Sequence, residues 1–291
     1  MATQRALLSL LSHSPDAPVS LHTPLAYADR FCIRNPGDAQ FVLSPHADGG
    51  SVKRWEDETY RKVYQSCLEG KWEEYDPWTI GERALAKQSM YDSPGACGIF
   101  RAFQGWTSMS DTGALFREKQ SRAELSREEY LSSSNWELDF ESSRFPNSPI
   151  ARSQEYNDQT HPHLELDRTM VSIPRVKPGD QAWWHGDMIH TVESIHQGKG
   201  LSADLYIPAV SLTPHNVEYI RDQKRLFMEG WPGSDFPGGV GESQFIDRGK
   251  IEDIKNTEGK QAMGLEPFDV SGQLTPGERH VREQANKILG F

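Results

Sequence analysis

Two short motifs, widely separated in the sequence, set the strongest constraint on the fold of this chain. The first is His46-Ala47-Asp48, and the second begins at Pro178-Gly179-Asp180 and ends, after an apolar run, at His190. Two imidazoles and one carboxylate on one face of a metal ion leave three positions open, which is typical of non-haem iron(II) centres. If these residues act together, the fold must bring two distant segments side by side as neighbouring strands.

The geometry of an extended strand decides which of these side chains can meet. Residues i and i+2 point to the same side, so His46 and Asp48 can reach one ion while the residue between them points away. His185 is a rival to His190 as the distal ligand, but five residues apart on one strand the two face opposite sides. The spacing from the Pro-Gly-Asp turn favours His190. Asp187 then either orients a ligand as a neighbouring carboxylate or caps a turn.

The composition argues against several classes of protein. The 291 residues include 31 basic and 42 acidic ones, a net charge of −11, which argues against nucleic-acid binding through clustered Lys and Arg. No run reaches the ~18 apolar residues of a membrane helix, and the N-terminus shows no clear signal-peptide cleavage site. The three cysteines are widely spaced and odd in number, which indicates a reducing, cytoplasmic compartment. The oligomeric state stays open.

The pattern of short apolar runs predicts a mainly β fold with flanking helices, of the α+β class. Strand-like runs bounded by turns alternate with segments of helical spacing. The predicted strands cover residues 26–34, 40–43, 98–106, 164–176, 181–190 and 201–210. The predicted helices cover residues 1–12, 57–70, 79–91, 214–229 and the tail from Pro276. Short strands with flanking helices suggest a double-sheet jelly roll of the cupin-like kind.

Arg101 stands in the otherwise apolar stretch 99–103, where a buried guanidinium needs an anionic partner. That partner is either a bound carboxylate, which a guanidinium can hold in a bidentate manner, or a protein carboxylate in a structural salt bridge. Arg54, which follows the H-x-D motif, is a second choice for binding an anion. Trp106 and Trp184 either line a pocket near these residues or are core aromatics.

Longer blocks of this sequence resemble the Fe(II)- and 2-oxoglutarate-dependent dioxygenases, and most of all the fungal and bacterial group known as domain of unknown function 1479. The resemblance covers nearly the whole chain, over residues 25–265. The matching blocks are H-x-D-G-G-S-x-x-R-W-E-D from His46, F-R-x-F-Q-G-W from Phe100, H-P-H-L from His161, P-G-D-x-x-W-W-H-x-D-x-I-H-x-V-E from Pro178, Y-I-P-A from Tyr206 and D-F-P-G-G from Asp235.

The resemblance implies a distorted double-stranded β-helix that holds iron(II) at His46, Asp48 and His190. It also implies 2-oxoglutarate as co-substrate, O2 as oxidant, and a small organic molecule that is hydroxylated, desaturated or cyclised. Beyond the metal ligands, no catalytic residue is implied.

The far carboxylate of 2-oxoglutarate needs a cation, and the usual position for it in such oxygenases lacks one in this chain. Many oxygenases of this kind place an arginine ten positions after the distal histidine, where this chain has Gly200. Ser202, two positions further on, matches the accompanying hydroxyl. The co-substrate is therefore assigned to Arg101 first, with Ser202 and Arg54 as further binding residues.

Two departures from the family pattern affect the expected activity. Family members are longer at the N-terminus, so a helical leader is expected to be absent, and a family segment after Leu115 is expected to be missing. The predicted division is a leader over residues 1–24 that is partly loop, a jelly-roll oxygenase domain over 25–265 and a helical tail over 266–291. Two alternatives stay open, namely an inactive relative that serves as a binding protein and a cupin-like Zn or Mn enzyme.

Overall fold

Antiparallel sheets with flanking helices form the framework of the protein in a computed structural model. The structure describes residues 1–40, 42–48, 53–91, 97–110, 147, 153–236 and 238–291. The strands in these ranges are β1 (Ser20–Leu25), β2 (Phe31–Arg34), β3 (Leu43–Ala47), β4 (Phe103–Ser108), β5 (Gln154–Glu155), β6 (Gln181–His185), β7 (His190–Val192), β8 (Ser202–Tyr206) and β9 (Val210–Leu212). The α-helices are α1 (Ala2–Leu8), α2 (Lys53–Glu56), α3 (Glu58–Lys62), α4 (Gln65–Leu68), α5 (Gly81–Leu85), α6 (Leu166–Thr169), α7 (Pro214–Glu229), α8 (Thr257–Ala262) and α9 (Pro276–Leu289). Short 3-10 helices cover Trp72–Glu74, Pro162–Leu164 and Ile251–Asp253.

The strands are shared between two larger sheets in an alternating manner. One sheet has the order β2-β8-β4-β6, the other has the order β5-β3-β7, and β1 pairs separately with β9. Every one of these strand pairs is antiparallel. From β2 to β8, the described strands lie in the four-stranded and the three-stranded sheet in turn.

One face of the four-stranded sheet looks towards the three-stranded sheet. In the β4–β6 pair, Gln104 lies opposite Trp184 and Phe103 lies opposite His185. Because side chains alternate along a strand, Gln104 and Trp184 share one face and Phe103 and His185 share the other. The Trp184 ring packs on His190 of the three-stranded sheet, with 4.9 Å between ring centroids. The face that carries Gln104 and Trp184 is therefore the inner one.

Two apolar clusters hold the helices against the strands. The first lies beneath α7 and α9, and its buried members include Leu25, Val210, Leu212, Val217, Ile220, Val281, Ala285 and Leu289. The second joins α1 and α5 to the outer face of β4, and its members include Leu8, Leu11, Ile80, Ala84 and Phe103. Burial of apolar surface in these clusters is the main force that fixes the sheets relative to the helices.

Several elements predicted from the sequence are confirmed. The helix predicted over residues 214–229 is α7, and the predicted tail helix begins at Pro276. Gly70 is the last residue of the segment 57–70. Its φ of 76° is the left-handed conformation typical of a helix end. That segment is divided into α3 and α4, and the helix predicted over 79–91 is reduced to the single turn and a half of α5.

Several strand predictions differ from the structure. The run 201–210 is divided into β8 of the four-stranded sheet and β9, which pairs with β1, and the strand predicted over 40–43 is shifted to β3 at Leu43–Ala47. The run 164–176 contains α6 directly after a 3-10 turn, because an apolar run this short does not distinguish a strand from a helical turn. The run 181–190 is divided into β6 and β7, which belong to different sheets. Residues 186–189 form the turn between them, and this turn carries the chain from the four-stranded sheet to the three-stranded one.

The family segment expected to be missing after Leu115 lies outside the described residues, and so do Gly49 and Gly50. In the ranges that the structure describes, no helix is both long enough and apolar enough to cross a membrane.

Gly105 of the F-Q-G-W block occupies a position where β4 and β6 approach too closely for a side chain. A Cβ atom there would lie 2.5 Å from the backbone oxygen of Ala182 and 2.7 Å from the Trp183 ring. We expect Gly105→Ala to lower the free energy of unfolding by about 1–3 kcal/mol, measured by urea denaturation, because backbone must shift. Gly81→Ala is the matched control, since its Cβ meets no atom within 4 Å. Equal stability of the Gly105 variant and the native chain would contradict this account.

Candidate metal centre

The three residues predicted as metal ligands, His46, Asp48 and His190, lie together where β3 ends beside the start of β7. His46 and His190 are directly paired in the antiparallel register of these strands, and their ring centroids are 4.3 Å apart. The Nε2 atom of His190 lies 3.1 Å from Asp48 Oδ2, and that of His46 lies 3.7 Å from Asp48 Oδ1. One potential ligand atom from each residue lies within 4.8 Å of the other two. These side chains could hold a metal ion.

Backbone carbonyls fix the tautomer of both histidines. The Nδ1 atom of His46 lies 2.7 Å from the carbonyl oxygen of Ser44, and that of His190 lies 3.1 Å from the carbonyl oxygen of Met188. A carbonyl oxygen can only accept, so Nδ1 carries the hydrogen in each ring. The lone pair of each neutral ring is then on Nε2, the atom that faces Asp48. This is the arrangement in which metal-binding histidines are held in proteins.

The charges of the site also suit a divalent cation. Burial, together with the neighbouring His190 ring, lowers the pKa of His46, so its neutral form is favoured. Burial alone would raise the pKa of Asp48, but the contact with His190 and the guanidinium of Arg101 outweigh it and hold that pKa below its usual range. The site therefore favours a neutral His46 imidazole and an ionised Asp48 carboxylate, which are the forms in which these two groups bind a metal.

Asp187 is the centre of a buried polar cluster beside the site. Its Oδ1 accepts from Arg54 Nη1 at 2.9 Å and from the Tyr64 hydroxyl at 2.9 Å. Its Oδ2 accepts from Arg83 Nη1 at 2.9 Å and from the Tyr75 hydroxyl at 2.5 Å. Both carboxylate oxygens are thus fully occupied by protein donors. The predicted alternatives for Asp187 were orientation of a ligand or capping of a turn, and its contacts extend well beyond a turn.

Arg54 connects this cluster to the metal-binding segment. Besides its bond to Asp187, it donates to the carbonyl oxygen of Asp48, and to that of Gly186 at 3.0 Å. One guanidinium therefore ties the end of the H-x-D motif to the turn that precedes His190. Because Arg54 has these protein partners, its donors are directed away from a ligand. Its assignment as a co-substrate residue stays a prediction.

A cavity of about 380 Å³, including the part open to solvent, adjoins the candidate metal centre. Asp48, Arg101 and Gln104 are among the residues that line it. The Arg101 side chain is 13% exposed, and its nearest carboxylate is that of Asp29, 3.8 Å from Nη1. The ring of Tyr27 lies beneath the guanidinium at 6.0 Å. The cation predicted from the apolar stretch 99–103 is therefore buried beside the metal ligands.

The remaining residues predicted for the site are divided between the two faces of the four-stranded sheet. By the strand register, Trp106, Trp184 and Ser202 share the inner face. The Ser202 hydroxyl donates to Asp204 Oδ2 at 3.3 Å. His185 lies on the outer face, packed against the rings of Phe103 and Trp78, with centroid distances of 5.8 and 6.1 Å. The structure thus places His190, and not its rival His185, beside Asp48.

The sequence analysis did not identify four residues that contribute to this site. Tyr64, Tyr75 and Arg83 complete the Asp187 cluster. Tyr64 lies between α3 and α4, Tyr75 follows the 3-10 helix Trp72–Glu74 and Arg83 lies in α5, and no local sequence pattern predicts how these segments pack against the sheet. Gln104 could have been found, because it is a polar residue that alternates with apolar ones on a strand that ends inside the fold.

The fold and the site together define a mainly antiparallel-β protein of the α+β class with a candidate two-histidine, one-carboxylate metal centre. Within that class, the chain belongs to the Gig2-like family, whose pattern matches residues 1–265. The resemblance predicted from the sequence is thereby confirmed at the level of this family.

Individual relatives are similar over most of this chain. YbiU of Escherichia coli K12 is 30% identical over 244 residues, which are 82% of this chain and 56% of YbiU. The crystal structure of GlcNAc Inducible Gene 2 (DUF1479) from Candida albicans has a TM-score of 0.81 and 27% identity, over 98% of this chain and 66% of that one. A Salmonella typhimurium LT2 structure, named as a candidate oxidoreductase, has a TM-score of 0.73 and 27% identity, over 90% of this chain and 63% of that one. The chain therefore spans between about half and two thirds of these relatives.

Proposed function

We propose that this protein is a non-haem iron(II)- and 2-oxoglutarate-dependent oxygenase that acts on a small organic substrate. The observation that carries the proposal is the convergence of His46, Asp48 and His190, with the Nε2 atom of each ring facing the same carboxylate. Two imidazoles and one carboxylate suit iron(II), and a thiolate-free site argues against Zn centres of the structural type. The alternation of strands between two sheets supports a jelly roll, the fold on which such sites are built.

Different residues of the chain would bind the metal ion and the co-substrate at such a site. His46, Asp48 and His190 would occupy one face of the ion, and Asp48 would offset part of its charge. When bound there, iron(II) supplies the redox chemistry by which 2-oxoglutarate and O2 give succinate and CO2 while the substrate is oxidised. Arg101 would bind the far carboxylate of 2-oxoglutarate from the adjoining cavity, and Trp184 would exclude water from the His190 side.

The relatives and the cysteines agree with this proposal in part. One structural relative is named as a candidate oxidoreductase. Cys32, Cys67 and Cys97 form no disulfide bond, which fits the reducing intracellular compartment that we propose for the protein.

Release of succinate tests the proposal directly. We expect the purified chain, supplied with Fe(II), ascorbate and 2-oxoglutarate, to release succinate when a panel of amino acids and small organic acids is screened. His46→Ala should abolish turnover and leave the thermal unfolding midpoint close to that of the native chain. Stoichiometric iron without turnover would favour an inactive binding protein instead. Activity that persists under strict anaerobiosis would favour a Zn or Mn enzyme.

A further inference from the structure

Gln104 is a buried polar residue whose side-chain amide has no hydrogen-bond partner among the described residues. It is 7% exposed and lies on the inner face of β4, where it lines the cavity beside Asp48. In the part of the chain that the structure describes, its side-chain amide takes part in no hydrogen bond. The residue as a whole is buried, but its amide atoms reach the surface of the cavity, where a bound molecule can pair with them. Its position in the cavity indicates that a ligand completes its hydrogen bonds.

A second unpaired group lies directly across the strand pair. Trp184 is opposite Gln104 in the β4–β6 register, and its Nε1–H is buried with no acceptor among the described residues. Opposed side chains on one face of an antiparallel pair have Cβ atoms about 4.5–5.5 Å apart. At this separation, rotation of the Gln104 side chain would allow its amide oxygen to accept a hydrogen bond from the indole N–H. An indole N–H can only donate, so it selects the amide orientation in which the NH2 group points into the cavity.

Arg101 adds further hydrogen-bond donors to the cavity. It differs from Arg54 and Arg83, which also line the cavity, in its protein partners. Arg54 and Arg83 each donate at 2.9 Å to Asp187. Arg101 makes no hydrogen bond with a described residue. Its nearest carboxylate among these residues is that of Asp29, 3.8 Å from Nη1, and the Asp48 carboxylate lines the same cavity. Its donors are thus available to an oxygen atom in the cavity. Together, the Arg101 guanidinium and the Gln104 amide NH2 present only hydrogen-bond donors and a positive charge to the cavity. This combination favours an anionic ligand over a neutral amide.

We propose that Gln104 and Arg101 together recognise the carboxylate of a ligand bound beside the metal centre, with Trp184 orienting the Gln104 amide. This inference rests on the proposed function, because that function requires two small molecules at the site. The ligand is therefore either the 2-oxo acid or a substrate that carries a carboxylate. The shared chemistry is a carboxylate that accepts one hydrogen bond from the amide and a bidentate pair from the guanidinium.

Equilibrium binding to the Mn(II)-loaded chain, measured by calorimetry, tests this assignment without turnover. The probes are 2-oxoglutarate, a panel of amino acids, and the neutral amides of those amino acids. We expect Gln104→Leu, which keeps the volume and removes the amide, to weaken carboxylate binding about 10-fold. Gln104→Glu should weaken it further, because it places a second negative charge beside the ligand. Gln181→Leu is the control, since that exposed glutamine donates only to Thr107 on the outer side of the same strands.

The outcomes separate this inference from the proposed function. Loss of 2-oxoglutarate binding assigns the site to the co-substrate, whereas loss confined to amino acids assigns it to the substrate, and either result supports carboxylate recognition. Native-like binding by both Gln104 variants would overturn the inference, as would tight binding of the neutral amides or no binding of any carboxylate to the native chain. If carboxylates bind in a manner that depends on Gln104 but no succinate is released, this inference is supported and the proposed function is not.

Discussion

Replacing Asp187 by alanine is expected to lower the free energy of unfolding by about 3–5 kcal/mol. The carboxylate is bonded to Arg54 and Arg83, whose side chains are 10% and 5% exposed, so its removal leaves two buried cations without a counter-charge. The hydroxyls of Tyr64 and Tyr75 lose their acceptor at the same time. Urea denaturation, followed by far-ultraviolet circular dichroism, measures the loss.

Two further variants show whether the charge or the packing of Asp187 is responsible. Asp187→Asn keeps the size of the side chain and part of its hydrogen bonding, so we expect an intermediate loss of stability. Asp222→Ala removes an exposed carboxylate that pairs with Arg221 at 3.0 Å, and it should have little effect because exposed pairs contribute little. A stability loss at Asp222 as large as that at Asp187 would contradict the role given to burial.

The Asp187 cluster also predicts how stability changes with pH. Burial alone would raise the pKa of Asp187, but Arg54 and Arg83 outweigh it, so in the folded protein this pKa lies below its ordinary value of 3.8. The stabilisation is therefore complete above the ordinary value and is lost as the pH falls below it. We expect the unfolding free energy to fall more steeply in this acid range for the native chain than for Asp187→Asn. Parallel curves for the two proteins would show that Asp187 does not contribute.

The metal ligands could be predicted from the sequence because simple geometry relates their positions. The alternation of a strand places His46 and Asp48 on one side. Antiparallel pairing then needs only one more strand to supply His190, and the structure pairs that residue directly with His46. The sequence predicted this strand as continuous from residue 181, whereas the structure divides it at 186–189. The site is unaffected, because the division falls before the ligand.

The supporting cluster could not be predicted, because long-range packing decides it. Arg83 lies in α5, and Tyr75 directly follows the 3-10 helix Trp72–Glu74. Both reach Asp187 only when these segments pack beside the turn at 186–189. Arg54 was interpreted as a residue for binding an anion, and the anion that it contacts in the structure is Asp187. Sequence patterns identify a buried charge of this kind, but they do not identify its partner among several candidates.

Substitution of His190 by alanine is expected to weaken divalent metal binding more than 100-fold, since loss of groups that merely support metal ligands already costs about 10–100-fold. Equilibrium titration with Mn(II), which needs no turnover, measures this change. The same segment of the chain supplies a matched control in His185, which lies five residues earlier and is also partly buried. It faces the rings of Phe103 and Trp78 on the other side of the sheet.

His185→Ala should therefore bind Mn(II) nearly as the native chain does, even if loss of its ring packing lowers the thermal stability. The contrast between the two variants depends only on the turn at 186–189, which moves the chain from one sheet to the other and leaves the two imidazoles on different sides of the fold. If His185→Ala lost Mn(II) binding while His190→Ala kept it, His185 on the outer face of β6 would be the ligand in place of His190. If both kept it, neither histidine of this segment would be a ligand, and the 3.1 Å contact between His190 and Asp48 would be a structural ion pair.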